Sequence, residues 1–123
     1  MAVLIAVNDY RLLRSAEAFL EAVAVLAARV EREGEQGVLG YRFFADAKGE
    51  NGRAVVRYTG PAAWLGHHDL SFGWPEMKAL HGVATLERVS FLGRVSGEMR
   101  DWIAGSGLRA EILHYPDGQG FDR

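Results

Sequence analysis

Histidine is the side chain in this sequence best suited to accept a proton near neutral pH, and it occurs four times. His67 and His68 are adjacent, whereas His81 and His114 stand apart. Adjacent helical residues point about 100° apart, so the pair cannot readily chelate one ion, and the H-x-x-x-H spacing is absent. We therefore predict no metal site. We expect His68 to face a pocket as a general base for a phenol or enol, and His67 to face solvent.

Aromatic and basic side chains could form the rest of such a pocket. Arg42 and Arg57 lie on neighbouring predicted strands and could hold a carboxylate or an enolate. A flat apolar pocket could be lined by Tyr41, Phe43, Tyr58, Trp64, Phe72 and Trp74. The alternatives stay open: the aromatic residues belong to the core and a subunit interface, and His68 is a hydrogen-bonded buried histidine.

The elements that must position these residues follow from periodicity and turn signals. Ser15 is a helix N-cap, and Phe19, Val23, Leu26 and Val30 form one face of a helix that ends at Gly34. Short helices are predicted at 62–68, 76–81 and 97–104. The stretch 46–52 is rich in turn residues, and Asn51-Gly52 within it indicates a hairpin. Strands are predicted at 3–7, 38–45, 53–58, 85–95 and 109–115.

This order predicts a single α+β domain over residues 1–123, a ferredoxin-like βαββαβ antiparallel sheet with helices on one face. A further helix and strand at about 97–115 extend the core. In strand 38–45, alternation places Leu39, Tyr41 and Phe43 on one face and Val38, Arg42 and Phe44 on the other. Helices cover only one face, so we predict a two-fold homodimer, sheet on sheet.

Composition narrows the functional classes. The 123 residues carry a net charge of −2 and no cysteine. That balance is not typical of partners of nucleic acid or anionic membranes, and a disulfide framework, a thiolate metal site and a cysteine nucleophile are excluded. The first residues lack the basic region of a signal peptide, and no apolar run approaches about 18 residues. We therefore expect a cytoplasmic protein with no membrane span.

Three stretches carry a family resemblance. They are Val56-Arg-Tyr-Thr-Gly-Pro-Ala-Ala-Trp-Leu-Gly-His-His68, Pro75-Glu-Met-Lys-Ala-Leu-His81 and Gly37-Val-Leu-Gly-Tyr-Arg-Phe-Phe44. Over about residues 2–95 the chain resembles the antibiotic biosynthesis monooxygenase-like proteins of the dimeric α/β-barrel superfamily. The resemblance implies a homodimer whose two sheets close a barrel. Some members of this family oxidise aromatic polyketides with oxygen and no bound cofactor, some degrade haem, and others act on small signalling molecules.

The resemblance implies a cofactor-independent monooxygenase, or a related small-molecule enzyme, acting on a planar aromatic or enolic substrate. His68 matches the second-helix histidine of the family and would be the base, and Asn8 and Trp64 would position substrate and oxygen. The remaining substrate-binding residues would be Tyr41, Arg57, Trp74 and His81.

Two alternatives accompany this hypothesis. The haem-degrading branch uses an Asn on the first strand, a Trp on the second helix and a His as iron ligand, which Asn8, Trp64 and His81 resemble. Seventeen positions separate Trp64 from His81, more than in that branch, so the segment 66–74 would be an insertion. The second alternative is a non-catalytic ligand-binding dimer, favoured if Trp64 and Trp74 fill the pocket.

Overall fold

The chain folds as one open sheet with four helices. The computed structural model describes residues 3–123. In chain order the elements are β1 (Leu4–Leu12), α1 (Ala16–Glu33), β2 (Val38–Ala45), β3 (Asn51–Tyr58), α2 (Pro61–Ser71), α3 (Pro75–Val83), β4 (Ala84–Leu92), α4 (Gly97–Gly105) and β5 (Glu111–Tyr115). The sheet order is β2-β3-β1-β4-β5, antiparallel except for β5, which joins β4 in parallel. The ferredoxin-like α+β prediction is confirmed.

The first strand is longer than predicted. β1 continues past Val7 to Leu12, so Asn8 lies in the middle of a central strand, opposite Ala54 and Val89. The polar residues that suggested a strand end instead alternate with core residues. Asp9, for example, pairs with Arg53 at 2.6 Å on the sheet face away from the helices. Asn8 therefore lies on the face that the helices cover.

The first helix forms as predicted. Ser15 accepts a hydrogen bond from the Ala18 amide at 3.0 Å, and Gly34 is the C-cap. The predicted core face is confirmed, because the buried residues of α1 are Phe19, Val23, Leu26 and Val30.

The predicted β2–β3 hairpin is confirmed, but its turn lies before Asn51-Gly52, because both of these residues already belong to β3. The turn precedes them, where Gly49 adopts a φ of +71°. Gly52 has a different function. A Cβ there would lie 2.6 Å from the Phe19 ring, so the glycine lets α1 approach the sheet.

An irregularity in β2 overturns the predicted faces of that strand. The register shifts between Val38 and Gly40, so Leu39 is exposed and does not share a face with Tyr41 and Phe43. Val38 packs on the core with them. The opposite face of the sheet, called the open face below, carries both apolar and charged side chains. Its exposed apolar members include Leu39, Phe44, Leu92 and Tyr115.

The helices after β3 extend beyond their predicted ends. α2 runs to Ser71, whose hydroxyl donates to the His67 carbonyl at 2.7 Å and so continues the last turn. α4 is tied to α2 because the Trp102 indole N–H donates to Asp69 at 2.9 Å. Within residues 3–123 the helices are too short or too polar to cross a membrane.

Candidate functional site

A cavity of about 610 Å³ lies between the sheet and helices α2, α3 and α4. Its floor comes from the helix-facing residues of the central strands, including Asn8, Tyr58 and Phe91, because alternate side chains of a strand share a face. Its walls come from α2, from α3, which precedes β4, and from α4 with the segment that follows it. This volume falls within the range of small-molecule sites.

His67 lies deep in this cavity and does not face solvent, so that part of the prediction is wrong. The side chain is 3% exposed, and its ring lies 5.3 Å from the Tyr41 ring and 6.1 Å from the Tyr58 ring. Within residues 3–123 its Nδ1 has no hydrogen-bond partner. Burial lowers the pKa of His67 to about 3, so the imidazole is neutral at pH 7. An unpartnered buried nitrogen costs about 1–3 kcal/mol, which is typical of a site that awaits a polar group.

His68 is held in one orientation by its own helix. Its Nδ1 lies 2.8 Å from the Trp64 carbonyl oxygen, and a carbonyl only accepts, so Nδ1 carries the proton. The ring also stacks on the Trp64 indole at 3.9 Å. Burial lowers the pKa of His68 to about 4. Its Nε2 is therefore an unprotonated acceptor at neutral pH.

The phenols around the floor stay protonated. Burial raises the pKa of Tyr10 to about 12, although the Asn8 side chain, which hydrogen-bonds to it, partly opposes the rise. Burial also raises the pKa of Tyr41 and of Tyr58 well above the ordinary value. The interior of the cavity thus presents neutral hydrogen-bonding groups in apolar surroundings.

Most of the predicted site residues come together. Seven of them line the cavity: Asn8, Tyr41, Tyr58, Trp64, His68, Phe72 and His81. The segment 66–74 does not carry His81 away, because α3 runs back along the cavity.

Four predicted residues do not line the cavity: Arg42, Phe43, Arg57 and Trp74. Arg57 is exposed on the open face, where it pairs in register with Ile5, and Arg42 is exposed on the neighbouring strand. Trp74 is buried under the Arg29 guanidinium, 4.1 Å from the ring centroid, and does not line the cavity.

The C-terminal extension supplies a cavity wall that was not predicted from the sequence. Trp102 of α4 lies edge-on to Trp64 at 5.4 Å and to His68 at 5.3 Å. The chain then continues along the cavity through Ser106 and Arg109 to Ile112 of β5. A signal was present, because α4 has apolar residues at the i, i+3, i+4 spacing of one helix face: Met99, Trp102 and Ile103.

Within residues 3–123, no three side chains of His, Asp or Glu cluster in a way that could hold an ion. The cavity itself is lined by three histidines and by no carboxylate.

Antibiotic biosynthesis monooxygenase-like proteins are among the solved structures that share the fold of this chain. MupZ from Pseudomonas fluorescens superposes with a TM-score of 0.75 at 22% identity, over 100% of this chain and 96% of that one. A variant of SnoaB, a cofactor-independent oxygenase from Streptomyces nogalater, superposes with a TM-score of 0.65 at 16% identity, over 78% of this chain and 96% of that one. A candidate antibiotic biosynthesis monooxygenase from Bordetella bronchiseptica superposes with a TM-score of 0.58 at 10% identity, over 78% of this chain and 100% of that one.

At these identities the likeness establishes the fold. No family model and no curated protein matches the sequence. SnoaB and the Bordetella protein leave 22% of this chain unmatched, whereas MupZ matches all of it.

Proposed function

We propose that the chain is a small-molecule enzyme that oxygenates a planar aromatic or enolic substrate without a bound cofactor. The observation that carries the proposal is the arrangement of His68 and its neighbours. A neutral imidazole of fixed tautomer lines a cavity of about 610 Å³ among Tyr41, Trp64 and Trp102. The fold shared with SnoaB, a cofactor-independent oxygenase, supports the same reaction class.

His68 is the general base in this mechanism. Its Nε2 accepts a proton from a phenol, an enol or an acidic CH₂ group, while Nδ1 stays bonded to the Trp64 carbonyl. The imidazolium that forms is stabilised by that bond and by the facing Trp64 ring at 3.9 Å. The Asn8 amide and the protonated Tyr10 phenol are donors on the cavity floor that can stabilise the substrate anion.

The electron-rich anion then reduces oxygen directly. For a CH₂ group flanked by aromatic rings, the two C–H bonds are replaced by C=O. One oxygen atom of O₂ enters the product and the other leaves as water. The substrate supplies all the electrons, so the balance needs no external reductant. The neutral, apolar interior keeps bulk water from the anion.

Two features favour this function over a non-catalytic ligand-binding protein. Trp74 lies outside the cavity, so Trp64 and Trp74 do not fill it together. His68 borders open space and is not enclosed in the core. A binding protein would not need an unprotonated nitrogen in a fixed tautomer on the cavity wall.

Oxygen uptake by the purified protein tests the proposal. We expect at least one member of a panel of anthrones, phenols and quinols to consume oxygen above the uncatalysed rate. His68→Ala should lower kcat by about 10²–10⁴. His114→Ala, a matched loss of an exposed histidine outside the cavity, should keep wild-type activity. Turnover that His68→Ala leaves unchanged would remove His68 from the mechanism.

Haem binding is the alternative, favoured because Asn8, Trp64 and His81 line the same cavity. Burial lowers the pKa of His81, so its imidazole is neutral and would hold the iron of a bound haem, which would supply redox chemistry. Iron-ligating imidazoles usually have a hydrogen-bonded second nitrogen, and within residues 3–123 the His81 ring has no such partner. Haem therefore ranks second. A saturable red shift of the Soret band on titration with haemin, lost in His81→Ala, would reverse the order.

We also propose that the protein is a homodimer joined through the open face. Four large apolar residues on that face are each 38–54% exposed: Leu39, Phe44, Leu92 and Tyr115. A second copy would cover them sheet on sheet, as the family resemblance implies. Light scattering should give twice the chain mass, and Phe44→Glu should give a monomer. A wild-type monomer at micromolar concentration would contradict the proposal.

A further inference from the structure

The charged side chains that line the cavity are all cationic. They are Lys78 of α3 and Arg109 of the segment between α4 and β5, and no Asp or Glu joins them. This contrasts with the whole chain, whose net charge is −2. We propose that Lys78 and Arg109 form a binding site for the carboxylate of the substrate, so that the enzyme takes an aromatic carboxylic acid.

The position of the two cations defines which end of the ligand carries the charge. Both residues are exposed, whereas Tyr58, His67 and Phe91 on the same cavity are buried. The cations therefore stand at the mouth and the neutral groups stand inside. A ligand with an apolar ring system and one terminal anion matches this gradient.

The mouth also provides apolar contact for such a ligand. Phe72 and Leu108 line the cavity and are 66% and 39% exposed. Exposed apolar side chains next to a cavity are typical of ligand-binding grooves. On α3, Lys78 lies three positions before His81, so the two share a helix face, and His81 can donate or accept beside the charge.

Both cations are available for a ligand. Within residues 3–123, neither Lys78 nor Arg109 makes an ion pair. A guanidinium presents parallel N–H groups that match a carboxylate, and an ammonium adds a second positive charge. Arg42 and Arg57, which the sequence suggested as anion-binding residues, lie on the open face.

The inference names the substrate class of the proposed enzyme and so rests on that function, but it is tested by binding alone. The probes are 2-naphthoate and 2-naphthamide, which share a ring system and differ in charge, measured by isothermal titration calorimetry. We expect the wild type to bind 2-naphthoate about tenfold more tightly at low ionic strength. Raising the salt concentration should weaken the binding of 2-naphthoate and leave that of 2-naphthamide unchanged, because the cations at the mouth are exposed to solvent.

Charge-removing variants identify the residues. The double variant Lys78→Gln with Arg109→Gln should lose most of the preference for 2-naphthoate and keep its affinity for 2-naphthamide. Arg100→Gln, on α4 but outside the cavity lining, should keep the preference.

Equal affinities for the two probes in the wild type would overturn the carboxylate site, and so would a preference that the double variant retains. Neither result would bear on oxygen uptake from neutral substrates. Conversely, a protein that prefers 2-naphthoate but consumes no oxygen would retain the site and lose the proposed reaction.

Discussion

Two regions on the helix-covered face of the sheet differ sharply. Under α1 the structure is closely packed: Phe19 and Leu26 are fully buried, and Phe19 lies 5.8 Å from the Tyr10 ring and 6.2 Å from the Phe43 ring. Under α2 and α4 the same sheet borders a cavity of about 610 Å³ and a histidine nitrogen without a partner. The packed region stabilises the fold. The cavity region carries buried polar groups that lower stability unless a ligand hydrogen-bonds to them.

The largest expected effect comes from removing an aromatic ring from the packed region. Phe19→Ala should lower the free energy of unfolding by about 3–5 kcal/mol, because the loss leaves a void that the surroundings cannot refill. Trp102→Ala, at the cavity wall, should cost no more than about half as much, since that indole is partly exposed and already borders open space. Urea unfolding measures both. Equal losses would mean that the two regions do not differ in packing.

A second prediction concerns pH. The folded pKa values of His67 and His68, about 3 and about 4, lie below the ordinary value near 6.5. Between these values the unfolded chain binds more protons, so the free energy of unfolding falls as pH drops below about 6.5 and is insensitive to these groups above about 7.

Between pH 6.5 and pH 5 the wild type loses stability, and His67→Gln should make that loss smaller by about 1.5 kcal/mol. Urea unfolding across this range measures the slope, and His114→Gln, at an exposed position on β5, should retain it. A wild-type slope in His67→Gln would show that the buried imidazole is not the source.

The smallest effect is expected where α1 meets α3. Arg29 donates to Glu76 at 2.8 Å and stacks on Trp74 at 4.1 Å. Arg29→Met should lower the free energy of unfolding by about 1 kcal/mol through loss of the cation–π contact. Binding of 2-naphthoate should not change, because Arg29 and Trp74 lie outside the cavity. Altered binding would mean that the two regions are coupled.

Periodicity predicted the packed region well for a physical reason. The face of α1 that contains Phe19 and Val23 is buried against one surface, so its apolar pattern is complete. The strands were harder. A register shift takes Leu39 out of the regular alternation of strand faces. Asp9 follows the alternation and forms an ion pair on the open face, although its polar side chain suggested the end of a strand. Neither event leaves a local sequence signal.

The candidate site could be predicted only in part, because the residues that form it come from distant segments. The resemblance covers about residues 2–95 and contains Asn8, Trp64 and His81, which do meet at the cavity. It does not reach Trp102 or Arg109. Which of two adjacent histidines faces inward depends on helix rotation, and here both border the cavity.

The incorporation of labelled oxygen tests the central claim most directly. The wild type would be supplied with ¹⁸O₂ and an active substrate from the oxygen-uptake panel, and the product mass measured beside that of His68→Ala. We expect one ¹⁸O atom in the wild-type product and loss of that product in His68→Ala beyond the uncatalysed background. Oxygen derived from water, or the same labelled yield from His68→Ala, would contradict a His68-dependent oxygenase.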